Sequence, residues 1–296
     1  MLGRCVAVFV AACCILFLPL PAHPAPITFN TALPVSKGEG IFRAQAKYSL
    51  STGDPASRGR ELAVWSVPLV LVYGVTRDFT LFAVTEYVDR ELEEGGLKRG
   101  DEGLGDSTFI ARYTVWTKDL SGETLRLAPF AAIKAPTGRD DATDSQGTLP
   151  RNLQPGTGSW DYTAGTIFTW QTLKRQVDAS ASYTLNTEAG GFRFGDVARL
   201  DASYQHRLFP KKLGPGLPAF VYGVVESSLV WQDKSEIDGV DDADSGGVKL
   251  FVTPGIQYVT LRTVTEAAVS VPVFQDLNGN ALEDDYAAIL SFRVNF

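Results

Sequence analysis

Eleven ionisable side chains fall on the polar side of alternating segments: Arg43, Lys47, Glu86, Arg112, Lys134, Arg199, Asp201, Arg207, Glu226, Glu266 and Arg293. Both signs are present. Such a set can do one of two things. It can form a polar core whose charges satisfy one another and fix strand register, or it can line the wall of a water-filled passage. Covalent chemistry has much poorer support. His206 is the single histidine left if a leader is removed after Ala25, and its parity sets it beside Ala202 and Tyr204 on the opposite, apolar face. A lipid hydrolase or acyltransferase would need a nucleophile, a base and an orienting group within reach. No serine stands in a G-x-S-x-G context. No paired histidines or cysteines suggest a metal, and no glycine-rich phosphate loop precedes a helix. Asp276–Leu277–Asn278–Gly279–Asn280 resembles the start of a calcium loop. The sixth and twelfth positions of that loop, which need Gly and Glu, are Ala281 and Ala287, so the stretch reads as an Asn-Gly turn. No enzyme and no cofactor are expected.

The elements that position these charges are strands. Gln176, Asp178, Ser180, Ser182, Thr184 and Asn186 alternate with Val177, Ala179, Ala181, Tyr183 and Leu185. Arg199, Asp201, Ser203, Gln205 and Arg207 alternate with Ala198, Leu200, Ala202 and Tyr204. Arg43, Gln45, Lys47 and Ser49 alternate with Phe42, Ala44, Ala46, Tyr48 and Leu50. A strand sends alternate side chains to opposite faces, so each segment has one wet and one greasy face. Twelve such segments are predicted, near 40–50, 60–73, 77–88, 105–117, 123–136, 159–172, 175–187, 196–209, 217–232, 246–259, 262–274 and 284–296. Each meets the ~9–11 residues a strand needs to cross a bilayer at a tilt.

Loop length carries a second, independent pattern. Connections after even segments are short, as at Gly74–Val75–Thr76 and Leu173–Lys174. Those after odd segments are long and polar, near 51–59, 89–104, 137–158, 188–195, 233–245 and 275–283. A barrel with brief periplasmic turns and long outer loops shows this alternation, whereas a soluble Greek-key sandwich mixes lengths. The long loops are rich in Asp and Glu, as at Asp140–Asp141 and Asp241–Asp242. They are either solvated loops or sites of cation bridging to lipopolysaccharide. The longest, 137–158, is placed to fold inward over a barrel mouth.

Residues 1–25 read as a signal peptide: Arg4, an apolar run of about 15 residues, then the small residues Ala22 and Ala25. Cys5, Cys13 and Cys14 all lie within it, so the mature chain has no disulfides to use. Beyond it no apolar run approaches the ~18 residues of a membrane helix. The formal net charge of −7 argues against nucleic acid. A membrane span must then be a closed sheet, because lipid satisfies no unpaired backbone group. The expected organisation is a leader at 1–25, a short periplasmic or plug segment at 26–39, and an antiparallel transmembrane β-barrel of about twelve strands at 40–296. Trp116 and Trp170 fit one aromatic girdle, and Trp160 and Trp231 the other. Trp65 sits nearer mid-strand and fits neither.

The last segment places Tyr286, Ala288, Leu290, Phe292, Val294 and Phe296 on one side. An aromatic carboxyl-terminal residue on such a strand looks like the closing strand handed to the barrel-assembly machinery. The runs GLGDSTFIARYTVW (103–116), APFAAIKAPTGRDD (128–141) and GTGSWDYTAGTIFTW (156–170) resemble outer-membrane proteins named for a meta-pathway of phenol degradation. That resemblance implies an outer-membrane barrel, a transporter of small aromatic or other hydrophobic compounds, with no catalytic residue to carry over. A closed structural or adhesive barrel, and an outer-membrane lipid-modifying enzyme, are the alternatives.

Overall fold

The computed structural model describes residues 23–212 and 219–296. Residues 1–22, most of the expected leader at 1–25 and including the three cysteines, and residues 213–218 lie outside the described residues. Twelve strands form the wall: β1 Gly40–Ser51, β2 Glu61–Gly74, β3 Phe79–Glu94, β4, β5 Glu123–Ala135, β6 Asp161–Thr172, β7 Arg175–Leu185, β8 Val197–Phe209, β9 Ala219–Gln232, β10 Gly247–Thr260, β11 Thr263–Leu277 and β12 Tyr286–Asn295. Strand β4 runs in three pieces, Leu97–Leu104, Ser107–Tyr113 and Trp116–Leu120. Each strand pairs antiparallel with its neighbours in sequence. The ring closes through β1 and β12, from Ile41↔Asn295 to Leu50↔Tyr286. A closed barrel leaves no unpaired edge, so the backbone is satisfied even in hydrocarbon.

The chain is inside-out relative to a soluble protein. Its fully buried large side chains include Gln176, Gln205, Gln257, Glu226 and Glu266, while Leu71, Phe109, Leu200, Ile256, Leu290 and Phe292 stand exposed. Groups that cost most to bury unpaired are inside and hydrogen-bonded, and the apolar band is outside. Water would penalise that arrangement and lipid rewards it. Aromatic rings collect at both rims: Tyr73, Tyr113, Trp116 and Tyr258 near the short turns, and Tyr87, Trp160, Tyr162 and Trp231 near the long loops, all exposed. The molecule is an outer-membrane-type barrel.

Trp65 belongs to the upper girdle after all. It pairs across from Tyr48 with ring centroids 4.8 Å apart, and Tyr48 lies 6.2 Å from Tyr286 at the very start of β12. Trp65 lies level with Ala288, two residues from the start of β12, through its pairing with Tyr48, so its place along β2 is a rim position in space.

Two long loops are more ordered than their composition suggested. The stretch 89–104 is largely a hairpin: β3 continues to Glu94 and pairs with Leu97–Leu104. Gly95 and Gly96 form the turn with φ of +59° and +82°, values that glycine adopts without strain. The stretch 137–158 holds a small hairpin, Thr143–Asp144 against Gly147–Thr148, and a 3-10 turn at Arg151–Leu153. Its Ala142, Leu149 and Leu153 pack against Leu62 and Leu92, which share inward parity on β2 and β3. The loop therefore folds over the inner face of the hairpin wall. Several acidic loop residues are neutralised by arginine, as in Asp144–Arg99 at 2.7 Å and Asp54–Arg60 at 2.5 Å. Among the described residues no cluster of three metal-ligating side chains occurs.

Candidate functional site: the lumen

Residues 23–39 do not hang free below the barrel. They enter from the short-turn rim, cross the lumen as a hairpin and return to the same rim to begin β1. The wall grips mostly their backbone. The Glu226 carboxylate on β9 accepts from Ile27 N–H at 2.5 Å, Thr28 N–H at 3.0 Å and the Thr28 hydroxyl at 2.5 Å. Gln257 on β10 donates to the Ala25 carbonyl at 2.5 Å, and Arg293 on β12 donates to the His23 carbonyl. Ile27 O accepts from Arg43 at 2.6 Å and from Gln45 at 3.1 Å on β1. Across the lumen, Ala32 N–H donates to Thr169 Oγ1 on β6 at 2.8 Å. Arg112 on β4 donates to the Thr31 and Leu33 carbonyls, the latter at 2.7 Å. The descending limb ends with Gly38 N–H on Gly74 O at 2.8 Å. Small wall residues make room for it. A Cβ on Gly255 would lie 2.7 Å from Ile27 Cδ1, and Ala32 nests against Ala128 and Ile167.

The eleven sequence-derived charges all sit at inward positions, in three settings. Arg43, Arg112, Glu226 and Arg293 hold the crossing segment. Arg43 also pairs with Glu266 at 2.8 Å, and Glu266 accepts from Gln257 at 2.9 Å. A second set pairs within the wall. Arg199 meets Asp201 at 2.7 Å, and Ser228 donates to Asp201 at 2.5 Å. Lys134 bonds Asp161 and reaches the Thr157 hydroxyl at 2.6 Å. Arg207 donates to the Leu173 carbonyl at 3.0 Å and lies over the Phe220 ring. Lys47 and Glu86 form the third set. They share a cavity of about 350 Å³ between the crossing segment and the long-loop mouth, and neither side chain makes an ion pair or hydrogen bond among the described residues. A second cavity, of about 370 Å³, opens below the segment beside His23, Gln171, Arg207 and Tyr222.

Sequence reasoning passed over three residues that matter here. Asp178, wholly buried, accepts from Thr169 at 2.5 Å and from Gln176 at 2.8 Å, and so orients the hydroxyl that caps Ala32. Its parity with Gln176 and Ser180 was a readable signal. Thr169 itself carries no charge to draw attention. Asp106 was hidden because it lies in a break of β4, where alternation stops. Its Oδ1 accepts from Gly138 N–H at 2.9 Å, and its Oδ2 from Thr157 N–H at 2.9 Å and the Thr157 hydroxyl at 2.8 Å. One carboxylate thus ties the three glycine-bearing runs together. Glycine is required where they meet, because a Cβ on Gly138 would lie 2.7 Å from Gly156 Cα and 2.9 Å from Gly105 C.

His206 points outward, and its Nδ1 lies 3.1 Å from the Tyr204 hydroxyl.

Known proteins give two findings. Solved structures of other barrels superpose on this one. The COG4313 outer membrane channel from Pseudomonas putida F1 has a TM-score of 0.69 at 14% identity, covering 93% of this chain and 100% of that one. The β domain of the Bordetella autotransporter BrkA has a TM-score of 0.48 at 11% identity, covering 87% and 99%. At these identities the likeness concerns the fold. No curated protein sequence matches the chain. The family described as "Putative MetA-pathway of phenol degradation" matches residues 44–282, almost the entire barrel, and the chain belongs to that family.

Proposed function

We propose that this barrel passes small aromatic or other hydrophobic compounds across the outer membrane, and that the segment at 26–39 acts as a plug closing its short-turn half at rest. The observation that carries this reading is the manner in which the segment is held. Most of its contacts are hydrogen bonds between wall side chains and its backbone, with a cavity on either side, and only Ile27 and Ala32 sit in small apolar clusters rather than a continuous apolar core. A segment held this way can be exchanged for water bond by bond. Twelve strands enclose a lumen between the filled eight-stranded and the open sixteen-stranded cases, which suits a passage narrow enough for one strap to block. The eleven inward charges are then the channel wall.

Residues 1–25 serve as the export leader in this reading, so the contacts to His23 and Ala25 belong to the unprocessed chain and the plug at 26–39 is held by Arg43, Gln45, Arg112, Thr169 and Glu226; Phe296 is the mark offered to the barrel-assembly machinery. The unpaired acids of the outer loops face lipopolysaccharide. The family description, which refers to phenol degradation, supports an aromatic cargo. The outward position of His206, with Tyr204 as its partner and no orienting acid on it, supports a protein that is not an enzyme. The P. putida neighbour is called a channel, in keeping with transport.

Single-channel recording in planar bilayers tests the proposal. A variant lacking 26–36 should give a steady conductance well above that of the full chain. If the folded deletion variant gives no current above background, the barrel is a closed structural element.

A further inference from the structure

The cavity above the crossing segment contains a local surplus of hydrogen-bond donors. Lys47 on β1 lies directly opposite Ser66 on β2 in the strand pairing, and Ser49 is the next inward residue along β1. All three line the cavity. None of their side chains has a hydrogen-bond or ion-pair partner among the described residues, although two other charges around them do. Arg199 is paired with Asp201 at 2.7 Å, and Asp284 with Lys249 at 2.6 Å. Lys47 is exposed even though it points inward, so its ammonium projects into open space rather than into the wall. One ammonium and two hydroxyls converging on a cavity match the acceptor geometry of a carboxylate, whose two oxygens take charge-assisted hydrogen bonds.

The rest of the cavity sets the class more narrowly. Ile27, Phe251 and Ile289 give it an apolar floor and side. Glu86 on β3, the one other charge there without a partner, faces the Lys47 corner and would repel a second anionic group. A volume of about 350 Å³ sits at the small end of the ~300–1,000 Å³ range of ligand sites, so the occupant has one ring or a short chain. We propose that this cavity is a binding site for a small organic monocarboxylate, with Lys47, Ser49 and Ser66 holding the carboxylate and Ile27 and Phe251 contacting its apolar body. The proposal deepens the channel reading and names the charge class of its solute.

Equilibrium binding to the detergent-solubilised full chain, measured by calorimetry, tests the site separately from transport. Benzoate should bind, while benzamide, its neutral analogue, and terephthalate, its dianionic one, should each bind roughly tenfold more weakly or worse. Lys47→Met should lower benzoate affinity by at least roughly tenfold and leave benzamide unchanged. Glu86→Gln should narrow the gap between benzoate and terephthalate. Absent benzoate binding, or equal binding of benzoate and benzamide by the unaltered chain, overturns the proposal without recourse to any variant. Benzoate binding that survives in Lys47→Met also overturns it. Benzoate binding with no benzoate passage in bilayers would sustain the site and remove the channel reading instead.

Discussion

Replacing Asp106 by Ala should release the loop 137–158 while leaving the barrel closed. The carboxylate is almost wholly shielded, with 5% of its side chain exposed. It accepts three hydrogen bonds, two of them from the backbone amides of Gly138 and Thr157. Hydrogen bonds to a charged group contribute about 1.5–3 kcal/mol each. Three of them would give a gross figure of roughly 4.5–9 kcal/mol. The freed amides lie near the mouth, where water can replace the lost acceptor, and the loop keeps its apolar contacts to Leu62 and Leu92. A net local cost of about 3 kcal/mol is reasonable. That cost corresponds to a roughly 150-fold larger population of the opened loop.

Trypsin provides the assay, because the loop contains Arg139 and Arg151, each held by an acid in the closed form. When opening and closing are fast relative to cleavage, the cleavage rate follows the open population. Cleavage in 137–158 should therefore accelerate by about two orders of magnitude, while heat-modifiable migration in gels shows the barrel intact. Rates within about twofold of the parent, in a folded variant, would refute the view that Asp106 fastens this loop.

Three further outcomes follow from the same geometry. Glu226→Ala removes the three bonds that hold Ile27 and Thr28 and should raise the open fraction in bilayer recordings by at least roughly tenfold, about 1.4 kcal/mol; an unchanged open fraction would count against the plug. Leu290→Arg puts a charge on the outward face at mid-strand and should cost about 2–4 kcal/mol of folding stability in lipid, read from urea unfolding in vesicles, whereas an inward reading of that face would give little loss. In the loop before β2, hydrogen bonds from Arg60 hold the Asp54 carboxyl well below the ordinary carboxylate range. A depressed acid contributes its anchoring above the unfolded value of about 3.9. The anchoring is lost only as pH falls through the lower folded value. Amide exchange at Ala56 and Arg58 should accordingly stay protected at about pH 4 and loosen only in stronger acid; a loss of protection centred near the ordinary aspartate value would contradict this.

The wall was legible because a period-2 pattern is a direct record of two solvents. Arg199, Asp201 and Ser203 on one face of β8, with Leu200 and Tyr204 on the other, leave little choice of orientation, and the alternating loop lengths made the count even. What alternation could not convey was anything off the regular ladder. Asp106 and its glycine partners lie where β4 breaks, and a break has no parity to read. The hairpin of Leu97–Leu104 was hidden because its exposed residues stand beyond the membrane and need no greasy face. Trp65 was misplaced because sequence position measures distance along one strand, whereas its rim neighbours Tyr48 and Tyr286 come from β1 and from the start of β12. The crossing segment was the hardest part. Residues 26–36 are short, mixed in character and without period, and they are fixed by partners such as Glu226 and Thr169 more than a hundred positions away.

The central claim is that this segment lies across the lumen and must move for solute to pass. A reversible lock tests it most directly. Every cysteine of the chain lies in residues 1–22, so introduced pairs report alone. Ala32 and Ala128 are fully buried against each other, and Ala32→Cys with Ala128→Cys would join the segment to β5. With the disulfide formed and verified by mass, bilayer openings should vanish, and dithiothreitol should restore them to the level of the unaltered chain. Openings that persist undiminished with the disulfide intact would show that solute does not pass by the route the segment blocks.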